Sequence, residues 1–213
     1  MHWTEFDQKY VWHPYTQAMN SPAPIPIVAA RGIEIITEDG RHLIDGVSSW
    51  WSMVHGHNHP RLKQALLQQA DKMMHVMFGG LTHEPASVLA ATLVKHAPDG
   101  LKHVFYSDNG STAVEVALKM AYQYFINKKT HHKREFVAFT NSYHGDTFGA
   151  MSVSGMPLFK QVFHPLLFNV SMQPSPSTAS YAEALHCLSV LEEYFASNEK
   201  IAAVIIEPMV QGA

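Results

Sequence analysis

A single cysteine, Cys187, is all the thiol that this chain of 213 residues carries. No intrachain disulfide and no thiolate metal cage can be built from it, and a reducing, cytoplasmic setting is the default for such a chain. Charge is also scarce, with 15% of residues Asp, Glu, Lys or Arg and a formal net charge of −3. The basic surplus that a general nucleic-acid or anionic-membrane binder needs is missing. No apolar run reaches the length of a membrane span, and MHWTEFDQKY lacks the basic-then-apolar plan of a signal peptide. Internal repeats and low-complexity tracts are absent as well. What is plentiful is apolar side chain, 46% of the residues, enough for a substantial core.

Four prolines in or near VWHPYTQAMNSPAPIP predict an aromatic, extended arm over the first twenty-odd residues rather than a helix. GIEIITEDGRHLIDGVSS then reads as two alternating strands joined at Asp39-Gly40, where a tight turn needs positive φ. Helical spacing of Leu62, Leu66, Ala70, Met73 and Met74 predicts a helix after Pro60, and Pro85 opens a second one. From Leu101 the rhythm becomes strand, helix, strand, helix, strand. The strands are HVFY (103–106), EFVAF (135–139) and AAVIIEP (202–208); the helices run over 112–128 and 181–197, with Ser180 and Glu183 opening the latter. VSMQPSPSTAS (170–180) reads as a polar surface loop between them. This alternation predicts an α/β fold with a mostly parallel sheet flanked by helices. The last strand, with only a loop between it and Ala213, leads to the expectation that these residues are the N-terminal part of a longer protein.

Several stretches carry chemistry. In YSDNGSTAVEVALK a strand is expected to hand over to a helix through small polar residues, with Thr112 and Glu115 in capping-box spacing. Gly110 and Ser111 precede that helix, so the stretch is either a capped turn or an anion site. SYHGDTFGAMS (142–152) follows a strand at the sheet edge where α/β ligands bind; Tyr143 suits stacking on a planar ring and Asp146 suits a cation or amine. A plain turn with Gly145 explains it equally. The Trp50-Trp51 pair, at an expected strand end, suggests that one indole lines a pocket. His55, His57 and His59 lack the carboxylate or thiolate partner of a metal site and read as turn and packing residues. No nucleophile elbow is present, so a Ser111–His144 pairing has little support. Glu207, at the end of an apolar strand, reaches the same rim as Ser111 and Tyr143 or is simply solvated.

Taken together, SSWW…HGHNHP, HVMFGGLTHEPA, YSDNGSTAVEVALKMA, NSYHGDTFGAMSVSG and IIEPMVQGA resemble, in order and wording, the class III aminotransferases, fold-type-I enzymes dependent on pyridoxal 5′-phosphate. The resemblance covers essentially the whole chain. WHPYTQ, the Trp50-Trp51 pair and HVMFGGLTH narrow it to members that pass the amino group of S-adenosylmethionine to 8-amino-7-oxononanoate in biotin biosynthesis. It implies that Gly110 and Ser111 cradle the cofactor phosphate and that Tyr143 stacks on the pyridoxal ring while facing substrate. Tyr15, Trp50 and Trp51 would be substrate-pocket walls, Asp146 part of the same recognition shell, and Glu207 a carboxylate near the cofactor. It further implies a homodimer, no metal, and no nucleic-acid or membrane partner. Residues 1–60 would be an N-terminal arm with a small-domain hairpin, and 61–213 the first part of the large cofactor-binding domain. The family's Schiff-base lysine falls after the Glu-Pro strand and is expected beyond Ala213; Lys102, Lys119 and Lys160 sit in no matching motif. No catalytic residue is therefore assigned here, and these residues alone are expected not to transaminate. Another class III enzyme using an ω-amino donor, and a non-catalytic binding module, remain the alternatives.

Overall fold

The computed structural model describes residues 2–176 and 180–212, which form two compact units, one running to Leu89 and the other starting at Ala90.

The first unit opens with helix α1 (Trp3–Tyr10), where the prolines predict an irregular arm. All four prolines lie at position 14 or later, so nothing bars a helix before them; Glu5 in its first turn and Lys9 in its last suit the helix dipole. Three strands follow, β1 (Ile27–Arg31), β2 (Glu34–Thr37) and β3 (His42–Ile44), in one antiparallel sheet of order β1-β2-β3. The β2–β3 hairpin is the expected one, with Ile35 opposite Leu43 and Gly40 at φ 83°. Buried Thr37 ties the turn, donating to Asp39 and accepting from the Arg41 amide at 2.9 Å. Trp50 and Trp51 do not end a strand. They lie in α2 (Ser48–Trp51), a single helical turn in which all four φ angles are positive, 46° to 62°. Helix α3 (Pro60–Lys72) starts on its proline and stops before Met73 and Met74. Met73 is extended, and the Gln69 side chain donates to its carbonyl at 3.0 Å, satisfying one of the chain-end acceptors. Helix α4 (Glu84–His96), which runs across the boundary at Leu89, has Pro85 in its first turn, as expected.

The second unit contains α5 (Gly110–Asn127), β4 (Glu135–Phe139), α6 (Phe148–Val153), α7 (Pro157–Lys160), a 3-10 turn at His164–Leu166, β5 (Ser171–Gln173), α8 (Tyr181–Ser197) and β6 (Ile201–Val204). Its sheet is parallel throughout, in the order β5-β4-β6, with the buried β4 at the centre. A continuous apolar run such as EFVAF is what a strand covered on both faces requires. Leu118 of α5, Phe136 and Ala138 of β4, and Val153 of α6 form the core, with Val170, Met172, Ala203 and Ile205 packed against them. Full burial of a side chain the size of Phe136 contributes about 2–3 kcal/mol.

In this second unit three expectations about strands change. HVFY forms no strand among the described residues, and Phe105 is 64% exposed; its composition suits a strand, but a ladder needs a neighbour with free backbone groups. Ser171–Gln173, expected as loop, is the strand β5: Val170 and Met172, two residues apart, both pack on the core, and Pro174 follows it. Positions 177–179 of that loop lie outside the described residues. The last strand is shorter than expected, ending at Val204, although the Ile205 amide still bonds the Val137 carbonyl at 2.9 Å. Ala213, past which the resemblance puts the Schiff-base lysine, also lies outside the described residues, so that expectation has no counterpart in the structure. No helix among the described residues is long and apolar enough to cross a membrane.

Candidate functional site

The mouth of α5 is built by Asn109. Its backbone is extended (φ −157°), its side chain accepts the Thr112 amide at 2.9 Å, and the Thr112 hydroxyl accepts the Asn109 amide at 3.3 Å. The capping box is therefore Asn109–Thr112, three residues before the expected Thr112–Glu115. Both residue pairs have the right spacing, and the extended backbone at Asn109 decides between them. The Ala113 amide also goes to Asn109, through its carbonyl at 3.1 Å. The amides of Gly110 and Ser111 remain at the positive end of the helix, and a Cβ placed on Gly110 would meet nothing within 4 Å. Asp108 flanks the mouth; the Thr112 hydroxyl, donating to it at 2.6 Å, is the main cause that lowers its pKa.

Ser111 carries the link to the rest of the rim. Its Oγ accepts the Asp146 amide at 3.2 Å, so its own proton is available to another acceptor. Gly145 lies beneath it at φ 127°, and a Cβ there would come within 2.1 Å of Ser111 Oγ. Only glycine satisfies both the conformation and the approach. The Asp146 carboxylate accepts the Tyr143 phenol at 2.8 Å, and the Tyr143 ring meets Phe159 edge-on at 5.6 Å. Glu207 completes the chain of contacts: one oxygen accepts the Tyr143 amide at 3.0 Å and the other the Gly212 amide at 2.8 Å. Ser111, Asp146, Tyr143 and Glu207 thus form one connected network. His144 is not paired with Ser111; its amide bonds Ser154 Oγ at 2.9 Å, and its Nε2 is buried without a partner among the described residues. Burial pushes the His144 pKa down, with the Glu207 charge opposing.

Glu115 is the residue that spacing misassigns. Instead of capping its own helix, its carboxylate crosses to the start of α6, accepting the Thr147 hydroxyl at 2.5 Å and the amides of Gly149 and Ala150 at 2.7 and 3.3 Å. An acceptor at a helix N-terminus satisfies orphan donors, and this one locks the loop holding Tyr143 and Asp146 onto α5. Nothing in the local sequence signals a contact over more than thirty residues.

In the first unit, the structure brings Tyr15 against Trp50, ring centroids 5.6 Å apart at 67°. Trp50 is 63% and Trp51 70% exposed, on the same left-handed turn. Left-handed geometry costs about 1–2 kcal/mol per non-glycine residue, so something must hold it. Asp45 does so, accepting the Ser49 amide at 3.0 Å, the Ser49 hydroxyl at 2.7 Å and His57 Nε2 at 2.8 Å. The Ser49 amide is the largest cause, ahead of the Ser49 hydroxyl and His57, that lowers the Asp45 pKa to about 2. His57 is in turn pinned by paired backbone bonds to Gly32 at 2.7 and 3.0 Å. His55 and His59 meet through their rings, and no group able to hold a metal ion occurs among the described residues.

The family model "Aminotransferase class-III" matches residues 15–213. An adenosylmethionine-8-amino-7-oxononanoate aminotransferase of Synechococcus elongatus is 47% identical over 209 residues, covering 96% of this chain and 49% of that protein. Its counterpart in Geobacter sulfurreducens is 42% identical, covering 98% and 49%. Among solved structures, the aminotransferase of the same name from Methanocaldococcus jannaschii superposes with a TM-score of 0.87 at 36% identity, over 99% of this chain and 47% of that one. The omega transaminase of Pseudomonas jessenii in complex with PMP gives 0.88 at 27% identity, over 100% and 49%. The chain spans about half the length of the relatives it matches.

Proposed function

The chain belongs to the class III aminotransferases, and from that premise we propose that it serves the transfer of the amino group of S-adenosylmethionine to 8-amino-7-oxononanoate, the biotin-pathway step for which its relatives are named. Pyridoxal 5′-phosphate is the cofactor of this reading. When bound, it supplies an electron sink for breaking the bonds of an amine carbon. The residues at the mouth of α5 fit its phosphate: two helix-end amides, a hydroxyl proton left available by the Asp146 amide, and open space above Gly110. The Ser111–Asp146 bond is the observation that carries the reading, because the hydroxyl accepts in it and keeps its proton for another acceptor.

Other residues orient and recognise. Glu207 fixes the backbone of Tyr143, while Asp146 holds its phenol, so the ring is restrained at both ends. The Asp146 carboxylate also provides a counter-charge for a cationic amine donor. Tyr15, Trp50 and Trp51 offer apolar faces suited to the walls of a substrate pocket. A homodimer in the cytoplasm goes with this reading; the association, not the location, is supported by the large apolar side chains left exposed on α3 and α4, among them Leu62, Leu66, Leu67, Val88 and Leu93. The division into an arm with a small-domain hairpin over 1–60 and a cofactor-binding domain from 61 is part of the same proposal. So is a Schiff-base lysine supplied by the full gene product beyond Ala213.

A second reading, an ω-transaminase with a simple amine donor, is favoured by the likeness to the Pseudomonas jessenii structure. The test is amino transfer in the full gene product, S-adenosylmethionine against simple ω-amines. Turnover with S-adenosylmethionine supports the first reading; turnover with ω-amines alone rejects it.

A further inference from the structure

The Ser48–Trp51 turn is the most strained run of backbone among the described residues, with four consecutive non-glycine residues at positive φ. Strain of this kind persists only where surrounding contacts over-determine it, and it concentrates at binding sites. Backbone bonds hold part of it, the Trp51 amide to the Val47 carbonyl and the Met53 amide to the Ser48 carbonyl, both at 3.0 Å, and the amide and hydroxyl of Ser49 converge on one carboxylate. The Asp45 side chain is only 7% exposed and His57 only 13%, yet the two indoles they underlie face outwards. One Asp45 oxygen holds the Ser49 amide, and the other is shared by the Ser49 hydroxyl and His57. His57 is itself fixed to Gly32 at the end of β1, so the turn is anchored to the sheet through Asp45.

We infer that Asp45 is a positioning residue for the aromatic wall: with His57 behind it, it holds Ser48–Trp51 left-handed so that the Trp50 indole meets Tyr15 and Trp51 projects beside it. The inference rests on the proposed reading of Tyr15, Trp50 and Trp51 as a substrate wall, but its structural half stands on contacts alone. Without the carboxylate acceptor, the Ser49 amide and hydroxyl lose their partners, and the turn relaxes to the right-handed region that L-residues favour. The indoles then swing to other directions without loss of the surrounding secondary structure.

The test combines near-UV circular dichroism with kinetics in the full gene product. The band removed by Trp50→Phe defines the Tyr15–Trp50 contact. Asp45→Ala, which removes both acceptor oxygens, is expected to lose at least half of that band with the far-UV spectrum unchanged. Ser48→Gly, which removes the steric cost of positive φ at one of the four positions without touching a contact of the Asp45 side chain, is expected to restore part of it in the double variant. An Asp45→Ala protein that keeps the band overturns the inference. So does loss of near-UV and far-UV signals together that Ser48→Gly fails to restore, because Asp45 then serves folding only. If the wall reading also holds, Asp45→Ala raises KM for S-adenosylmethionine about tenfold with kcat within about twofold, and Ser48→Gly recovers part of it. Band changes as expected with KM unmoved support the positioning role and reject the substrate wall.

Discussion

Ser111 and Asp146, thirty-five residues apart, are joined by a single 3.2 Å bond in which the aspartate amide donates to the serine hydroxyl. Because the Ser111 hydroxyl accepts in that bond, its proton is left for an anion at the mouth of α5.

Removing that hydroxyl is therefore expected to weaken the cofactor's phosphate grip. Ser111→Ala should bind pyridoxal 5′-phosphate about tenfold more weakly, the loss of one hydrogen bond to a charged group. Equilibrium titration followed by cofactor absorbance checks this.

Gly145 underlies the same contact at φ 127°, with no room for a Cβ beside Ser111. Gly145→Ala should lower unfolding stability by about 2–4 kcal/mol, from backbone strain and steric overlap. Chemical denaturation is the measurement, and a change within about 0.5 kcal/mol contradicts the local geometry.

Glu115 holds the start of α6 by three bonds. Glu115→Ala leaves two amides and a hydroxyl unpaired, an expected loss of about 2–4 kcal/mol. Amide hydrogen exchange should show the loss centred on residues 147–150 rather than on the first turn of α5.

The Asp45 carboxyl titrates lower in the folded chain, at about 2, than its ordinary 3.8. A depressed folded pKa contributes stability that is present above the ordinary value and lost as pH falls through the folded one. The stability difference between the native chain and Asp45→Asn should thus be constant above about pH 5 and shrink between about pH 4 and 2. Urea unfolding across that range reads it directly.

Local pattern reveals the elements whose causes are local. The Asp39-Gly40 hairpin, the capped helix from Tyr181 and the buried strand EFVAF follow from turn chemistry, capping residues and apolar runs. HVFY and SMQ mislead for one reason: strand formation depends on a neighbour, and a neighbour's presence is not written in a segment's own composition. α1 escapes a reading that lets prolines count against the segment they follow. At the candidate site, Ser111, Tyr143, Asp146 and Glu207 do meet, while Gly110 contributes space rather than a contact. Glu115 and Asp45 stay hidden because their partners are remote or because the turn they hold is left-handed, which no residue type in Ser-Ser-Trp-Trp announces.

Whether the mouth of α5 grips a phosphate ester is tested most directly by comparing pyridoxal 5′-phosphate with pyridoxal for binding to the native chain and to Ser111→Glu. The phosphate ester should bind the native chain on the order of a hundredfold tighter than pyridoxal, through two or three charge-assisted bonds, and a carboxylate at position 111 should abolish that preference by repulsion. Equal affinity for the two compounds, or a preference that survives Ser111→Glu, contradicts the phosphate cradle.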